Sequence, residues 1–163
     1  MATVVFPGTF DPVTVGHVDI AVRARTLFDH VVMAVAHNSA KSPLLDVDTR
    51  VALARKAMAH LDGVEVVATD ALLADFCASV GAVAIVKGLR GGADYDLERP
   101  MALMNRAISG IETVFVTGDS ALAHVASSLV RDVARHGGDI SAYVPDGVQA
   151  AITAALGTSQ AAN

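Results

Sequence analysis

The sequence contains little cysteine, no long apolar run and no excess of positive charge. Only one of the 163 residues, Cys77, is a cysteine, so an internal disulfide is excluded. No apolar run approaches the roughly 20 residues that span a bilayer, and the first residues show neither the basic region nor the cleavage site of a signal peptide. We therefore expect a cytoplasmic protein without membrane contact, in which Cys77 is a buried helix thiol rather than a nucleophile.

The charge balance bears on possible partners. Twelve lysines and arginines against 17 acidic residues give a net charge of −5, which disfavours the broad basic face that a nucleic acid duplex requires.

The length is that of one domain. Hydrophobic residues make up 53% of the chain and charged residues only 18%, more apolar surface than a small domain can bury. A self-complementary interface, and hence a homo-oligomer, is the expected outlet.

Apolar, β-branched runs alternate along the chain with stretches of helical period. This pattern predicts strands at Thr3–Phe6, Val31–Ala36, Val64–Val67, Ala82–Val86 and Thr113–Val116. It predicts helices at Gly16–Phe28, Asp48–Leu61, Ala71–Val80, one ending near Ile108, Ser127–His136 and Asp146–Leu156. Right-handed crossovers then give a three-layer α/β fold with a doubly wound parallel sheet. We expect one domain over residues 1–157 and a disordered tail over 158–163, while periodicity leaves the strand order open.

Polar residues follow several of the predicted strands, at the edge where open α/β sheets bind ligands. Lys41 follows the second strand, whereas Lys87 and Arg90 follow the fourth, beside glycine-rich turns and helix N-termini. Each residue taken alone would be read as a solvated loop charge. Their coincidence at one edge of an acidic protein predicts a local binding site for phosphates.

The loop after the first strand carries the most specific motif. The turn Gly8-Thr9-Phe10-Asp11-Pro12 is followed by Thr14-Val15-Gly16-His17, which resembles the (His/Thr)-x-Gly-His signature of the nucleotidyltransferase superfamily. From Val5 to about Ala155 the chain resembles the bacterial phosphopantetheine adenylyltransferases. Further motifs fall in matching order: Lys41, Lys87–Arg90, Glu98, Met104-Asn105, Ser127–Val130 and Gly137–Asp139.

The resemblance implies a Rossmann-like, five-stranded sheet of order 3-2-1-4-5. It implies an enzyme of coenzyme A biosynthesis that transfers AMP from ATP to 4′-phosphopantetheine, giving dephospho-coenzyme A and pyrophosphate. His17 would be the catalytic residue, a donor to the α-phosphate in the transition state of an in-line attack. Mg²⁺ would bind mainly through phosphate oxygens, without a protein metal site, and the oligomer would be a homohexamer built as a dimer of trimers.

The same resemblance assigns residues to the two substrates. Those implied to bind ATP are Thr9, Phe10, His17, Gly88, Leu89, Arg90, Glu98, Leu122, Ala123, His124, Val125, Ala126, Ser127 and Ser128. Those implied to bind 4′-phosphopantetheine are Thr9, Lys41, Leu73 and Lys87.

Three residues depart from the family pattern. Ala126 stands where a serine is common, Lys87 stands where many relatives have arginine, and Pro100 lies where a helix is expected. A proline in that place predicts that the helix begins within a few residues of it or kinks there. Two alternatives stay open: a related nucleotidyltransferase that acts on nicotinate mononucleotide or uses CTP, and a nucleotide-binding regulatory protein without turnover.

Overall fold

A computed structural model describes residues 1–37 and 42–161, with backbone only for 159–161. Five parallel strands form one sheet in the order β3-β2-β1-β4-β5, which confirms the implied order. The strands are β1 (Thr3–Gly8), β2 (His30–Ala36), β3 (Val64–Thr69), β4 (Ala84–Leu89) and β5 (Glu112–Thr117). The helices are α1 (Val15–Leu27), α2 (Val47–Met58), α3 (Leu73–Ser79), α4 (Gly92–Ser109), α5 (Ser127–Arg135) and α6 (Val148–Ala161).

The alternation of side chains along β1 divides the core between the two faces of the sheet. Val4 and Phe6 point into the larger cluster, which is completed by residues of α1, α2, α5 and α6. Val5 points into a smaller cluster on the other face, against Cys77 of α3. Strands buried on both faces are expected to be continuously apolar, as the buried cores of β1 and β2 are.

Cys77 is a buried helix thiol, as predicted. Its side chain is fully buried between α3 and the sheet, and this burial raises the pKa of the thiol to about 11. A thiol in that state carries almost no thiolate at neutral pH, so the residue is unsuited to nucleophilic chemistry.

Of the two outcomes predicted for Pro100, a helix that begins within a few residues of it is wrong. The helix begins at Gly92 and continues through Pro100 to Ser109, so proline lies in its interior. Proline removes the hydrogen bond to the carbonyl of Asp96, but both residues are exposed and water can replace the lost donor.

Both ends of α6 also differ from the prediction. Pro145 lies in a turn before the helix, where its carbonyl accepts the N–H of Val148. The helix ends at Ala161 rather than Leu156, because a single glycine, Gly157, weakens a helix without ending it. The tail expected from residue 158 therefore begins as helix, and residues 162 and 163 lie outside the described ones. No helix in the described ranges is both long and apolar enough to cross a membrane.

Candidate active site

A cavity of about 620 Å³ opens at the carboxyl edge of the sheet, above β1 and β4. This is where the strand order reverses and where open α/β sheets bind ligands. The loops after β1, β4 and β5 form its walls together with the beginnings of α1 and α5. The predicted residues that line it are Thr9, Phe10, His17, Lys87, Gly88, Leu89, Arg90, Glu98, Leu122, Val125, Ala126, Ser127 and Ser128.

The remaining predicted residues do not line this cavity. Leu73 lies at the start of α3 and packs against the smaller core cluster. Ala123 and His124 are exposed, and the His124 ring makes an edge contact with Tyr143 at 5.7 Å between centroids. Lys41 lies outside the described residues, so its role stays a prediction.

A reciprocal cap at the start of α1 fixes the His17 ring. Thr14 is the N-cap, and its hydroxyl oxygen accepts the backbone N–H of His17 at 3.4 Å. In return, the backbone N–H of Thr14 donates to Nδ1 of His17 at 3.0 Å. Because an amide nitrogen can only donate, Nδ1 is unprotonated and the ring proton is on Nε2. Among the described residues, this Nε2–H has no hydrogen-bond acceptor.

The surroundings keep His17 neutral. Its ring is partly buried and meets the edge of Phe10 at 4.9 Å between centroids. Burial, followed by the positive charge of Arg90, lowers the pKa of His17 to about 4. At neutral pH His17 is therefore an uncharged residue with an Nε2–H donor, and it lines the cavity.

Gly88 allows α1 and β4 to approach each other beside His17. A Cβ at position 88 would lie 2.6 Å from Cγ1 of Ile20 on α1, closer than carbon atoms can come. Any other residue would force the Ile20 side chain, or α1 with it, to shift. The glycine therefore keeps the His17 end of α1 beside the end of β4.

Lys87 and Glu98 form an ion pair inside the cavity, with Nζ 3.1 Å from the carboxylate. Lys87 lies within β4, two residues before its end, and Glu98 lies on α4. The Glu98 side chain is therefore directed toward Lys87. The pair partly neutralises the lysine, and an incoming phosphate would compete with Glu98 for it.

Arg90 is held in a fork by Asp94. Nε and Nη2 of Arg90 each lie 3.1 Å from a carboxylate oxygen of Asp94, and the Arg90 backbone N–H donates to the same side chain at 2.8 Å. Burial raises the pKa of Asp94, but the hydrogen bonds and charge of Arg90 outweigh it and leave that pKa below its ordinary value. Sequence reasoning missed Asp94, although its i,i+4 spacing from Arg90 was visible.

The start of α5 faces the cavity without a side-chain cap. Ala126 is the N-cap residue and makes no capping bond, so the first amides of α5 remain for an anion. The Ser127 hydroxyl donates to the carbonyl of Pro12 at 2.8 Å and ties this helix to the loop after β1. Arg131, one turn further, donates to the carbonyl of Asp11; this long-range contact gave no signal in the sequence.

The carboxylates of the cavity are already engaged. Asp19 pairs with Arg23, Asp94 with Arg90 and Glu98 with Lys87, while Asp119 accepts the N–H of Ala121. Within residues 1–37 and 42–161, no three histidine, cysteine, aspartate or glutamate side chains are grouped to hold a metal ion.

Two solved structures share the fold. A protein from Vibrio parahaemolyticus, described as a nicotinate-nucleotide adenylyltransferase, superimposes with a TM-score of 0.68 at 19% identity over 96% of this chain and 95% of its own. A lipopolysaccharide core biosynthesis protein from Thermoplasma volcanium gives a TM-score of 0.54 at 23% identity over 73% and 97%. At these identities the likeness concerns the fold.

Sequence comparison is more specific. A family model described as cytidylyltransferase-like matches residues 5–133. The chain is 48% identical to a phosphopantetheine adenylyltransferase from Bifidobacterium longum over 96% of its own length and 95% of the relative's. It is 47% identical to one from Methylococcus capsulatus over 92% and 93%. The chain therefore belongs to the cytidylyltransferase-like family and, within it, to the phosphopantetheine adenylyltransferases.

Proposed function

We propose that the chain transfers AMP from ATP to 4′-phosphopantetheine, forming dephospho-coenzyme A and pyrophosphate in coenzyme A biosynthesis. One observation carries the mechanism: a neutral histidine lines a cavity that also holds Lys87, Arg90 and the start of α5. The cavity offers donors and cations, suited to a reaction between two anions.

The attacking group is the phosphate of 4′-phosphopantetheine. Its second pKa of about 6 leaves it largely dianionic at neutral pH, so no general base is required. An oxygen of this phosphate forms a bond to the α-phosphorus of ATP, and the bond from that phosphorus to the β-phosphate oxygen breaks in line. His17 donates Nε2–H to the α-phosphate oxygen that gains charge, while its neutral state is kept by burial.

The cations and amides divide the remaining phosphates between them. Lys87 and Thr9 hold the phosphate of 4′-phosphopantetheine, together with Lys41, which lies outside the described residues. Arg90 and the backbone at Gly88 and Leu89 hold the ATP phosphates, close to the first amides of α5. Holding both anions in alignment supplies the orientation that the reaction needs.

Mg²⁺ would supply further charge neutralisation on the triphosphate when bound. The paired carboxylates of the cavity leave phosphate oxygens and water as its ligands, a mode that suits a cation reluctant to dehydrate. The residues that act on the same charge from the protein side are His17 and Arg90.

The working form is a cytoplasmic homohexamer, a dimer of trimers. Support comes from α4, where exposed apolar side chains recur with helical spacing at Leu97, Met101, Met104 and Ile108. Such a stripe, unburied in one chain, suits an interface between copies. Sedimentation velocity tests this: the wild type should sediment as a hexamer, and Met104→Glu should give smaller species.

The proposed reaction is tested by following pyrophosphate release from purified protein with ATP and Mg²⁺. Release should depend on 4′-phosphopantetheine and should be absent when nicotinate mononucleotide replaces it or CTP replaces ATP. Turnover with nicotinate mononucleotide would assign the chain to the rival nucleotidyltransferase. Binding of ATP without release from any acceptor would support a regulatory protein instead.

A further inference from the structure

The guanidinium of Arg50 is buried behind the cavity. Arg50 lies on α2 and is 1% exposed. Its Nε donates to the carbonyl of Leu45 at 3.0 Å, and Nη1 donates to the carbonyls of Thr9 at 2.7 Å and Ala36 at 2.9 Å. One buried cation thus joins the loop after β1, the last residue of β2 and the segment before α2.

Removing a charge from water is unfavourable, and an apolar side chain could fill the same space without that penalty. What the guanidinium adds is a planar, rigid set of donors. These donors fix three carbonyls from separate segments relative to one another. The position of those segments, rather than the filling of the core, is therefore what Arg50 determines.

The backbone at Phe10, next to Thr9, has an unfavourable conformation that the surrounding contacts must stabilise. Phe10 has φ of +49°, in the left-handed region that a bulky residue rarely adopts. Its ring is 3% exposed and is packed edge-on against Phe6, with 5.3 Å between centroids. Such conformations persist only where the surroundings over-determine them, and they concentrate at functional sites.

Contacts on both sides of Phe10 supply that restraint. Before it, Arg50 binds the Thr9 carbonyl. After it, the Asp11 carboxylate accepts the backbone N–H groups of Leu44 at 2.8 Å and Leu45 at 3.0 Å. Arg50 binds Leu45 as well, so both restraints are anchored to the same segment before α2.

We propose that Arg50 is a positioning residue that holds the Thr9–Phe10 peptide in the orientation required for phosphate binding. In a trans peptide the N–H points opposite to the C=O. With the Thr9 carbonyl directed to Arg50, the Phe10 N–H points away from α2, and both residues line the cavity. The role of this N–H toward a phosphate rests on the proposed function; its restraint by Arg50 does not.

The test compares Arg50→Lys and Arg50→Met with two controls on α2. Arg55→Met removes an arginine that also donates to a backbone carbonyl, that of Val66 at 3.1 Å, away from the cavity. Val51→Ala destabilises the core through a residue that is 8% exposed and whose apolar side chain cannot donate a hydrogen bond to the Thr9 carbonyl. Hydrogen–deuterium exchange of the 8–12 segment without ligands, and kcat and KM for both substrates, are measured well below each variant's Tm.

We expect kcat/KM for ATP to fall about 100-fold in Arg50→Met, which is the effect of displacing a binding group by about 1 Å. In Arg50→Lys the loss should be about 10-fold, because lysine keeps the positive charge and some of the N–H donors. Exchange of the 8–12 segment should rise at least about tenfold in both. In Arg55→Met and Val51→Ala, kcat/KM for ATP and the exchange rate of the 8–12 segment should stay within about twofold of the wild-type values. All variants are compared at the same number of degrees below their own Tm.

An Arg50→Lys protein with wild-type exchange and wild-type kcat/KM would overturn the proposal, and so would Val51→Ala losing as much activity at the same fractional stability. If Arg50→Met does not fold, Arg50→Lys decides the question. A wild-type protein that shows no turnover would refute the proposed function alone, because the exchange measurement still reports on the restraint.

Discussion

Replacing His17 separates its part in folding from its part in chemistry. In His17→Ala, the backbone N–H of Thr14 loses its acceptor at Nδ1, and Phe10 loses an edge contact. A lost hydrogen bond costs about 1 kcal/mol and an aromatic pair about 0.5–1.5 kcal/mol. We therefore expect the free energy of unfolding to fall by about 1.5–2.5 kcal/mol, which leaves a typical domain folded.

The chemical loss should be larger. Removal of one preorganised donor to a developing oxyanion reduces kcat by about 10²–10³, equivalent to about 2.7–4 kcal/mol. Because this bond strengthens only in the transition state, the KM for ATP should change much less than kcat. Urea unfolding and steady-state pyrophosphate release measure the two quantities separately.

His17→Gln is the matched control for the cap. Glutamine at the third helical position can accept the N–H of the N-cap residue, so the reciprocal cap with Thr14 is retained. We expect most of the stability lost in the alanine variant to return. Equal instability of both variants would show that the cap bond does not stabilise α1.

The catalytic assignment fails if His17→Ala keeps more than half of the wild-type kcat. It also fails if kcat stays constant while the KM for ATP rises in proportion to the loss of kcat/KM, because His17 would then bind the ground state and the transition state equally.

Three further predictions concern separate features. Because the His17 pKa is lowered from 6.5 to about 4, the unfolded state binds a proton first as the pH falls. Unfolding titrations of the wild type should therefore show a loss of about 1–2 kcal/mol in the free energy of unfolding between pH 7 and pH 5, and this loss should be absent in His17→Gln. Lys87→Ala should raise the KM for 4′-phosphopantetheine at least tenfold and leave the Kd for ATP nearly unchanged, whereas Lys87→Arg should retain the wild-type KM; an unchanged KM in the alanine variant would contradict the phosphate assignment. Ala126→Ser should stabilise α5 by about 1 kcal/mol as a new N-cap, with exposed Ala123→Ser as the neutral control; equal Tm values would refute it.

The strands and the edge that binds ligands could be predicted from the sequence because both depend on local signals. The buried strand cores, the cap of Thr14 and His17, and the cations Lys87 and Arg90 near the end of β4 are each made of residues only a few positions apart in the sequence. The order of the strands is not local, and it came from the resemblance to a family. The same holds for the role of His17, whose neutrality depends on burial that periodicity does not reveal.

The features that sequence reasoning predicted wrongly or did not find have two kinds of physical cause. α4 continues through Pro100, where the carbonyl of Asp96 is at the surface and open to water, because the surrounding structure can override a local propensity. The contacts of Arg50 with Thr9 and of Ser127 with Pro12 join residues 41 and 115 positions apart. Only the folded chain brings those partners together, so no spacing could have indicated them.

Because Cys77 is fully buried, its chemical modification can be used to measure local opening of the protein. With its thiol enclosed between α3 and the sheet and its pKa raised to about 11, an alkylating reagent meets almost no thiolate in the native state. Modification then requires that α3 leave the sheet. The rate of alkylation therefore measures how often that face of the molecule opens, and a ligand that slows it without contacting Cys77 stabilises the packing of α3 on the sheet.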